Sequence, residues 1–597
     1  MEKFSSQHIN NLNYNYIKMK TNILSILMIA FSIGYSSAQD SIVNRNVTVE
    51  REYQPIIKDA GKIIATPKTV EPLVEKTKPV YSDINTPLSI SSNIQTLAPE
   101  ELKHLPNPAK KGFARIGIGY PLNTIAEFMF PVIKNESNRL DFTLRHLGAL
   151  TDDIHSKTSA EIQYDHIFSN FDVYAGLGGR HDYYNYYGRV FGAEKSYGMA
   201  DITPDYGNTV YNTPQGNTLT LRELSGFPLD ETNWRLNFKA GARSLPTAET
   251  LRYDISLNYN MFTALVSKLT ENQILLKGLF DVPFEENRLG MNVEIHNLNY
   301  GSSVNKLINF PDSYSLIKIN PFYKLVCNDW FVRLGVKSGI SFGHGQVFTP
   351  SPDVTAQWNA VPEYFALYGG VTGDLTVNTM SKIYDENRYI SAGNRVEDLY
   401  TPIDAFVGIK LSPAYNLMFD VYGNYQAINN QYFYVNRDYT TTDATVMTDI
   451  KNLYHNRFDV VYAAANKLSA GMRVSYDYKN LFSTYLKAAY HSWSVKDQDY
   501  AWQLPTWDAD LGINANITNE ISINTQFIFN DGRFAKLGYE AKKMNAAYDW
   551  NLGASYTYLD WLSVFVKVNN ILNSKYDSYY GYKAQGINAM IGASFSF

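Results

Sequence analysis

The chain has 597 residues, 19% of them charged, and a formal net charge of -5, so no basic field points to nucleic acid. Its single cysteine, Cys327, excludes an internal disulfide framework and reads as a small residue at a strand end. Aromatic residues make up 14%, with 46 Tyr against 31 Phe and 8 Trp; an apolar ring with a polar tip suits the boundary between lipid and water, although a secreted β-sandwich or carbohydrate-binding protein can share this bias.

Met19-Lys20, the apolar run Ile23 to Tyr35 and the small residues Ser36-Ser37-Ala38 before Gln39 together form the pattern of a secretory signal. Residues 1–38 are therefore expected to be leader and signal peptide, with Met19 the expected start. No cysteine follows the cleavage site, so no lipid anchor is expected. No later stretch approaches the ~20 apolar residues of a membrane helix, so any spanning structure should be a barrel.

Residues 39–111 carry prolines at 55, 67, 72, 79, 87, 99, 106 and 108. Such spacing breaks helices and ladders and predicts an extended arm, periplasmic or lumenal, with at most a short helix near Pro99 to Leu105. Within it Val47, Thr48 and Val49 form a strand-prone strip that can add to the edge of a partner's sheet or pack on the chain's own barrel.

From residue 112 to residue 597 alternation is pervasive. Tyr253, Ile255, Leu257, Tyr259 and Met261 interleave with Asp254, Ser256, Asn258 and Asn260. Leu468 to Tyr478 alternates in the same way against Ser469, Gly471, Arg473 and Asp477. Several segments run to ~10 residues, the length of a tilted membrane strand. In this arrangement Glu161, Asp254, Arg473 and Lys479 are expected to line a wet lumen.

Short and long connections also alternate. Leu559-Asp560, Thr518-Asn519-Glu520, Lys479-Asn480 and Ser412-Pro413-Ala414 are tight. The stretches 573–583, 531–546, 495–500 and 429–454 are long, and the longest loop is expected at 188–231. This is the asymmetry of bacterial outer-membrane barrels and places the carboxy-terminus on the short-turn, periplasmic side. Strand starts are predicted near residues 114, 124, 138, 157, 171, 232, 248, 270, 287, 315, 330, 347, 363, 404, 415, 456, 480, 500, 520, 546, 561 and 585. The predicted fold is thus all-β, a transmembrane antiparallel barrel of about 22 strands. Its last strand places Ile587, Ala589, Ile591, Ala593, Phe595 and Phe597 on one side; pairing with the first strand would remove the open edge.

Nothing points to catalysis, a cofactor or a resident metal. The ten histidines are scattered, and no His-Glu-x-x-His is present. Gly117, Gly119, Gly176, Gly178 and Gly179 lie in strands with no following helix, so they read as tight strand positions and not as phosphate cradles. The loop with Asp497, Gln498 and Asp499 reads as solvated, with calcium binding the alternative.

The segment 568–576 (Val-Asn-Asn-Ile-Leu-Asn-Ser-Lys-Tyr), the following 580–586 (Tyr-Gly-Tyr-Lys-Ala-Gln-Gly) and the Phe-terminated strand resemble the closing strands of TonB-dependent outer-membrane receptors of the Bacteroidetes type. The stretches 352–356, 361–373 and 458–462 are similar to the same lineage. The resemblance covers 112–597 and implies a 22-stranded barrel in the outer membrane of a Gram-negative cell, in contact with lipid and inserted by the barrel assembly machinery. A terminal Phe595 and Phe597 resembles the signal which that machinery reads. It also implies uptake or transport of a nutrient, with TonB or other periplasmic or surface proteins as partners. The pattern is broken at the amino-terminal side. Val47-Thr48-Val49 is similar to the short box that engages TonB, but 39–111 is too short and too proline-punctuated for the family's folded plug. Since so wide a lumen needs a filling, 39–111 is the one large candidate the sequence offers. The alternative function is a non-transporting scaffold barrel in an outer-membrane assembly or surface complex.

Overall fold

The computed structural model describes residues 112–191, 210–212, 218–220, 228–245, 250–301, 311–438, 448–479 and 481–597. The expected leader, signal peptide and proline-rich arm, with Val47, Thr48 and Val49, lie outside the described residues.

From Phe113–Tyr120 to Asn588–Ser596 the strands pair antiparallel with their chain neighbours, and the last closes on the first, Phe113 opposite Ser596 and Tyr120 opposite Ala589. The product is a closed antiparallel barrel of 22 strands, the architecture of an outer-membrane barrel. Two further strands, Phe534–Leu537 and Glu540–Lys543, form a hairpin within a loop that touches the wall through one bridge, Asn436 to Leu537. Closure pairs both edges of the sheet, which removes the hazard of an exposed ladder.

The alternation read from the sequence becomes the inside and outside of this wall. On the first strand Ile116 and Ile118 are 56% and 57% exposed on the outer face, whereas Arg115, next to Ile116, is buried on the lumen side against Glu127. On the last, Ile591 faces outward while Asn588 and Ser594 are buried on the other face. Among the described residues no helix is long and apolar enough to cross a membrane. Each wall strand pairs its backbone with both neighbours, the condition a barrel must meet to span lipid.

Strand starts expected near 138, 171, 287 and 330 fall at Asn138, Phe171, Asn287 and Trp330. The largest departure is the start expected near 500 and found at Trp507. Residues between Val495 and Trp507 do not ladder, since Trp502 and Leu504 pack with Phe433 and Phe534 in an apolar cluster of their own. One end of the barrel carries tight turns such as 285–286 and 560–561. The other carries the long connections 186–229, 377–398, 437–457, 532–546 and 570–587. The carboxy-terminus lies at the tight-turn end.

Inside, several aromatic rings lie flat over glycines of the neighbouring strand. A Cβ on Gly408 would sit 2.2 Å from Tyr368, and one on Gly592 would sit 2.3 Å from Phe565. The same holds in milder form at Gly117, where Phe565 and Ile125 leave no room for a side chain. Several wall carboxylates are paired across strands: Tyr368 donates to Asp420 at 2.7 Å, Tyr174 to Asp254 at 2.7 Å, and Arg333 pairs with Asp353 at 2.7 Å. Such pairing lets charge line the lumen without leaving it unsatisfied. The largest apolar core joins the ends of wall strands to loop residues. It lies at the long-loop mouth, around Tyr184, Phe262, Leu298, Ile383, Tyr389, Phe458 and Tyr582.

Candidate functional site: a lid across the long-loop mouth

The mouth core is built on residues 377–398, which leave the wall after Phe365–Thr376 and return to it at Leu399–Ala414. They form a short helix, α1 (Met380–Glu386), with Met380, Ile383 and Tyr384 buried at the spacing i, i+3, i+4 that gives a helix one apolar face. Its first turn is closed twice. Thr379 accepts from the amide of Lys382, and the wall residue Glu271 accepts from the amides of Met380 and Ser381 at 2.6 and 3.3 Å. A carboxylate at this point satisfies amides that the helix itself leaves unpaired. At its other end Glu386 accepts from the hydroxyls of Tyr432 and Tyr434 at 2.6 and 2.8 Å, and its carbonyl accepts from Tyr579 at 2.8 Å.

This segment reaches strands far round the wall from those it joins. Asp385 meets Arg180 at 2.6 Å and Arg235 at 3.2 Å, and Arg235 also donates to Ser381 at 2.9 Å. Arg388 holds both oxygens of Asp153 at 2.8 Å, in the loop between Asn138–Ala149 and His155–Ile167. Arg180 and Arg235 stand eight and seven strands from the one that precedes the segment, about a third of the way round a closed wall of 22, and Asp153 lies between strands nine and ten away, close to the opposite side. Residues 377–398 therefore bridge the mouth as a lid.

A second loop completes it. Tyr579 and Tyr582, between Leu562–Asn569 and the last strand, are buried; Tyr582 stacks on Tyr389 with ring centroids 3.6 Å apart and donates to the carbonyl of Asn456 at 2.6 Å. Arg533, itself buried, donates to the carbonyls of Asp577 and Ser578 at 2.8 and 2.9 Å. Tyr187 and Arg189 bind the same loop through Lys583 and Gly581. Burial opposes charge on Asp153, but Arg388 and then His155 outweigh it and hold the carboxyl down at about 2. The Arg388 to Asp153 latch thus stays charged through the whole physiological range.

The residues singled out from sequence fall in several places. Glu161, Asp254 and Arg473 lie on strands whose alternate residues are exposed on the outer face, so they line the lumen, and Arg473 lies 3.5 Å from Asp420. Lys479 does not line it: it sits with φ 52° in the tight turn after Phe458–Tyr478, exposed over the ring of Tyr478. Phe597 exchanges backbone hydrogen bonds with Gly112 and lies 6.0 Å from the ring of Phe130, while Phe595 stacks on Trp561 at 6.3 Å. Cys327 is exposed at the end of Ser313–Val326. Gln498, from the acidic loop, accepts from Trp502 and Lys536.

The expected filling of the lumen by 39–111 lies outside the described residues; among those described, the chain's own loops pack together at the long-loop mouth. Sequence reading missed the lid, because a seven-residue helix between strands disappears into a long loop. The signal that could have found it is Met380, Ile383 and Tyr384 at helical spacing behind Thr379, a helix-starting residue.

No family model matches the sequence, and no curated protein matches it. Solved structures do. The siderophore receptor PirA from Acinetobacter baumannii superimposes with a TM-score of 0.57 at 11% identity, over 82% of this chain and 80% of that one. The ferric-catecholate import receptor Fiu from E. coli K12 gives 0.56 at 10% identity, over 82% of each chain. The copper transporter OprC gives 0.54 at 12% identity, over 82% and 80%. The fold is that of TonB-dependent receptor barrels. At these identities the likeness to receptor barrels is one of fold.

Proposed function

We propose that the protein is an outer-membrane uptake barrel of the receptor type, silent at rest, whose outer mouth is shut by the lid at 377–398. The observation that carries this reading is a wide, polar-walled barrel sealed by an ordered loop that reaches close to its opposite side. Removing Met380, Ile383, Tyr384, Tyr389, Ile390 and Val396 from their core would cost on the order of 10 kcal/mol at ~1.5–3 kcal/mol each, enough to keep the open state rare without energy or ligand. The solved structures with this fold include siderophore and copper carriers, which supports a nutrient as cargo. The Bacteroidetes-type closing segment, the arm at 39–111 and the strip Val47, Thr48, Val49 fit the same reading. In it the strip engages TonB or another periplasmic protein, and Phe595 and Phe597 guide insertion into lipid by the assembly machinery.

The full chain in planar bilayers should be nearly non-conducting, and Asp153→Ala combined with Asp385→Ala should open measurably more often than the native chain. Silence of the double variant, with the barrel still folded, would overturn the reading of the lid as a gate. A second reading, a sealed scaffold in an outer-membrane or surface complex, is favoured by the size of the lid's apolar core. It predicts that silence, together with a stoichiometric partner lost when 43–55 is deleted.

A further inference from the structure

Beneath the lid, one stretch of the inner wall gathers Arg145, Lys157, Arg180 and Arg235. Pairing places Arg145 opposite Ser159, Ser159 opposite Arg180 and Arg180 opposite Arg235. Three guanidinium groups therefore share one row across four strands, ~5 Å apart from strand to strand. Lys157 stands two residues from Ser159 on the same face, directly opposite Asp182.

Like charges directly opposite on neighbouring strands repel. Arg180 and Arg235 are held together by two carboxylates, Asp182 of the wall and Asp385 of the lid. Arg180 pairs with Asp182 at 2.8 Å and with Asp385 at 2.6 Å, while Arg235 pairs closely with Asp182 and lies 3.2 Å from Asp385. Asp385 is the odd member, since it comes from a loop and its side chain is 37% exposed. Among the described residues Arg145 and Lys157 have no ion pair: Glu127, directly opposite Arg145, pairs with Arg115 at 2.5 Å, and Glu161 lies one row further down, opposite Gly178. A planar guanidinium fork matches the two oxygens of a carboxylate or phosphate, and a lid carboxylate already fills that role here.

We propose that this row is an oxyanion site for a small soluble solute bearing carboxylate or phosphate, and that Asp385 holds, in the closed state, the place of the solute's anionic group. Solute and lid then compete for Arg180 and Arg235, so binding loosens the lid from the wall it reaches across to. The inference rests on the uptake reading for the solute's route, but the site itself can be tested without transport.

The test is calorimetric titration of the full chain in phosphatidylcholine nanodiscs with inorganic phosphate and with citrate, against chloride at equal ionic strength. Asp385→Asn removes the competitor and should tighten binding about tenfold. In that background Lys157→Gln and Arg145→Gln, which touch no lid residue, should each weaken it several-fold. Whichever of phosphate and citrate binds more tightly identifies the preferred oxyanion. Binding no tighter in Asp385→Asn, or binding indifferent to both Lys157→Gln and Arg145→Gln, would overturn the site. Tighter binding with no conductance in Asp385→Asn would keep the site and count against uptake. Conductance without tighter binding would do the reverse.

Discussion

Replacing Arg388 by alanine should release the far end of the lid while leaving the barrel intact. In the native protein its guanidinium holds both oxygens of Asp153 at 2.8 Å, donates to Tyr389 at 2.8 Å and lies 5.0 and 5.6 Å from the rings of Tyr389 and Tyr184. The two charged side chains are 30% and 18% exposed, so solvent screening trims the pair below the 3–5 kcal/mol of a fully buried one. A loss of about 2–3 kcal/mol is expected, or roughly 30- to 150-fold in the lid's opening equilibrium. Native-state hydrogen exchange of the reconstituted protein reads this directly: amides of 379–390 should exchange faster by that factor, with wall strands such as Leu269–Phe284 unchanged. The pH dependence follows from the sign of the shift. Asp153 is held at about 2, below the ordinary ~3.9, so its contribution is fully present above ~4 and is lost only as pH falls toward 2. Corrected lid protection should be flat from pH 5 to 8. Unchanged lid exchange in Arg388→Ala, or acceleration spread evenly over the barrel, would refute the latch.

Two further outcomes probe the wall and the seam. Gly408→Val would drive side-chain atoms into Tyr368, 2.2 Å from the Cβ position, and overpacking of this kind costs ~1–3 kcal/mol; thermal unfolding in detergent should fall accordingly, and the companion Tyr368→Ala should relieve the clash. Replacing Phe595 and Phe597 by Asp removes the ring contacts with Trp561 and Phe130 at the closing pair, and the protein should fail to reach the membrane fraction; normal recovery there would show that the terminal aromatics are dispensable.

How much of this was legible beforehand differs between wall and mouth. Asn138, Phe171, Asn287 and Trp330 begin strands at the positions alternation alone predicted, because a period of two is a local property that lipid on one face and water on the other impose directly. Lys479 was misplaced for the opposite reason: alternation carries on formally into a turn, whereas the backbone there adopts φ 52° and turns the residue out. The lid could not be read in the same way. Arg180, Arg235, Asp153 and Asp385 are separated by up to 232 positions, between Asp153 and Asp385, and no spacing rule joins them.

The sequence by itself determined the barrel: the strands, the two faces, the tight and long ends, and a last strand able to close on the first, all consequences of nearest-neighbour patterning. Only the tertiary structure decided what closes it. Once 22 strands return to their start, loops far apart in the chain share one rim, and there Tyr389 and Tyr582 stack while Asp385 finds two arginines a third of the way round the wall. That juxtaposition follows from ring closure, a global constraint which no local pattern encodes.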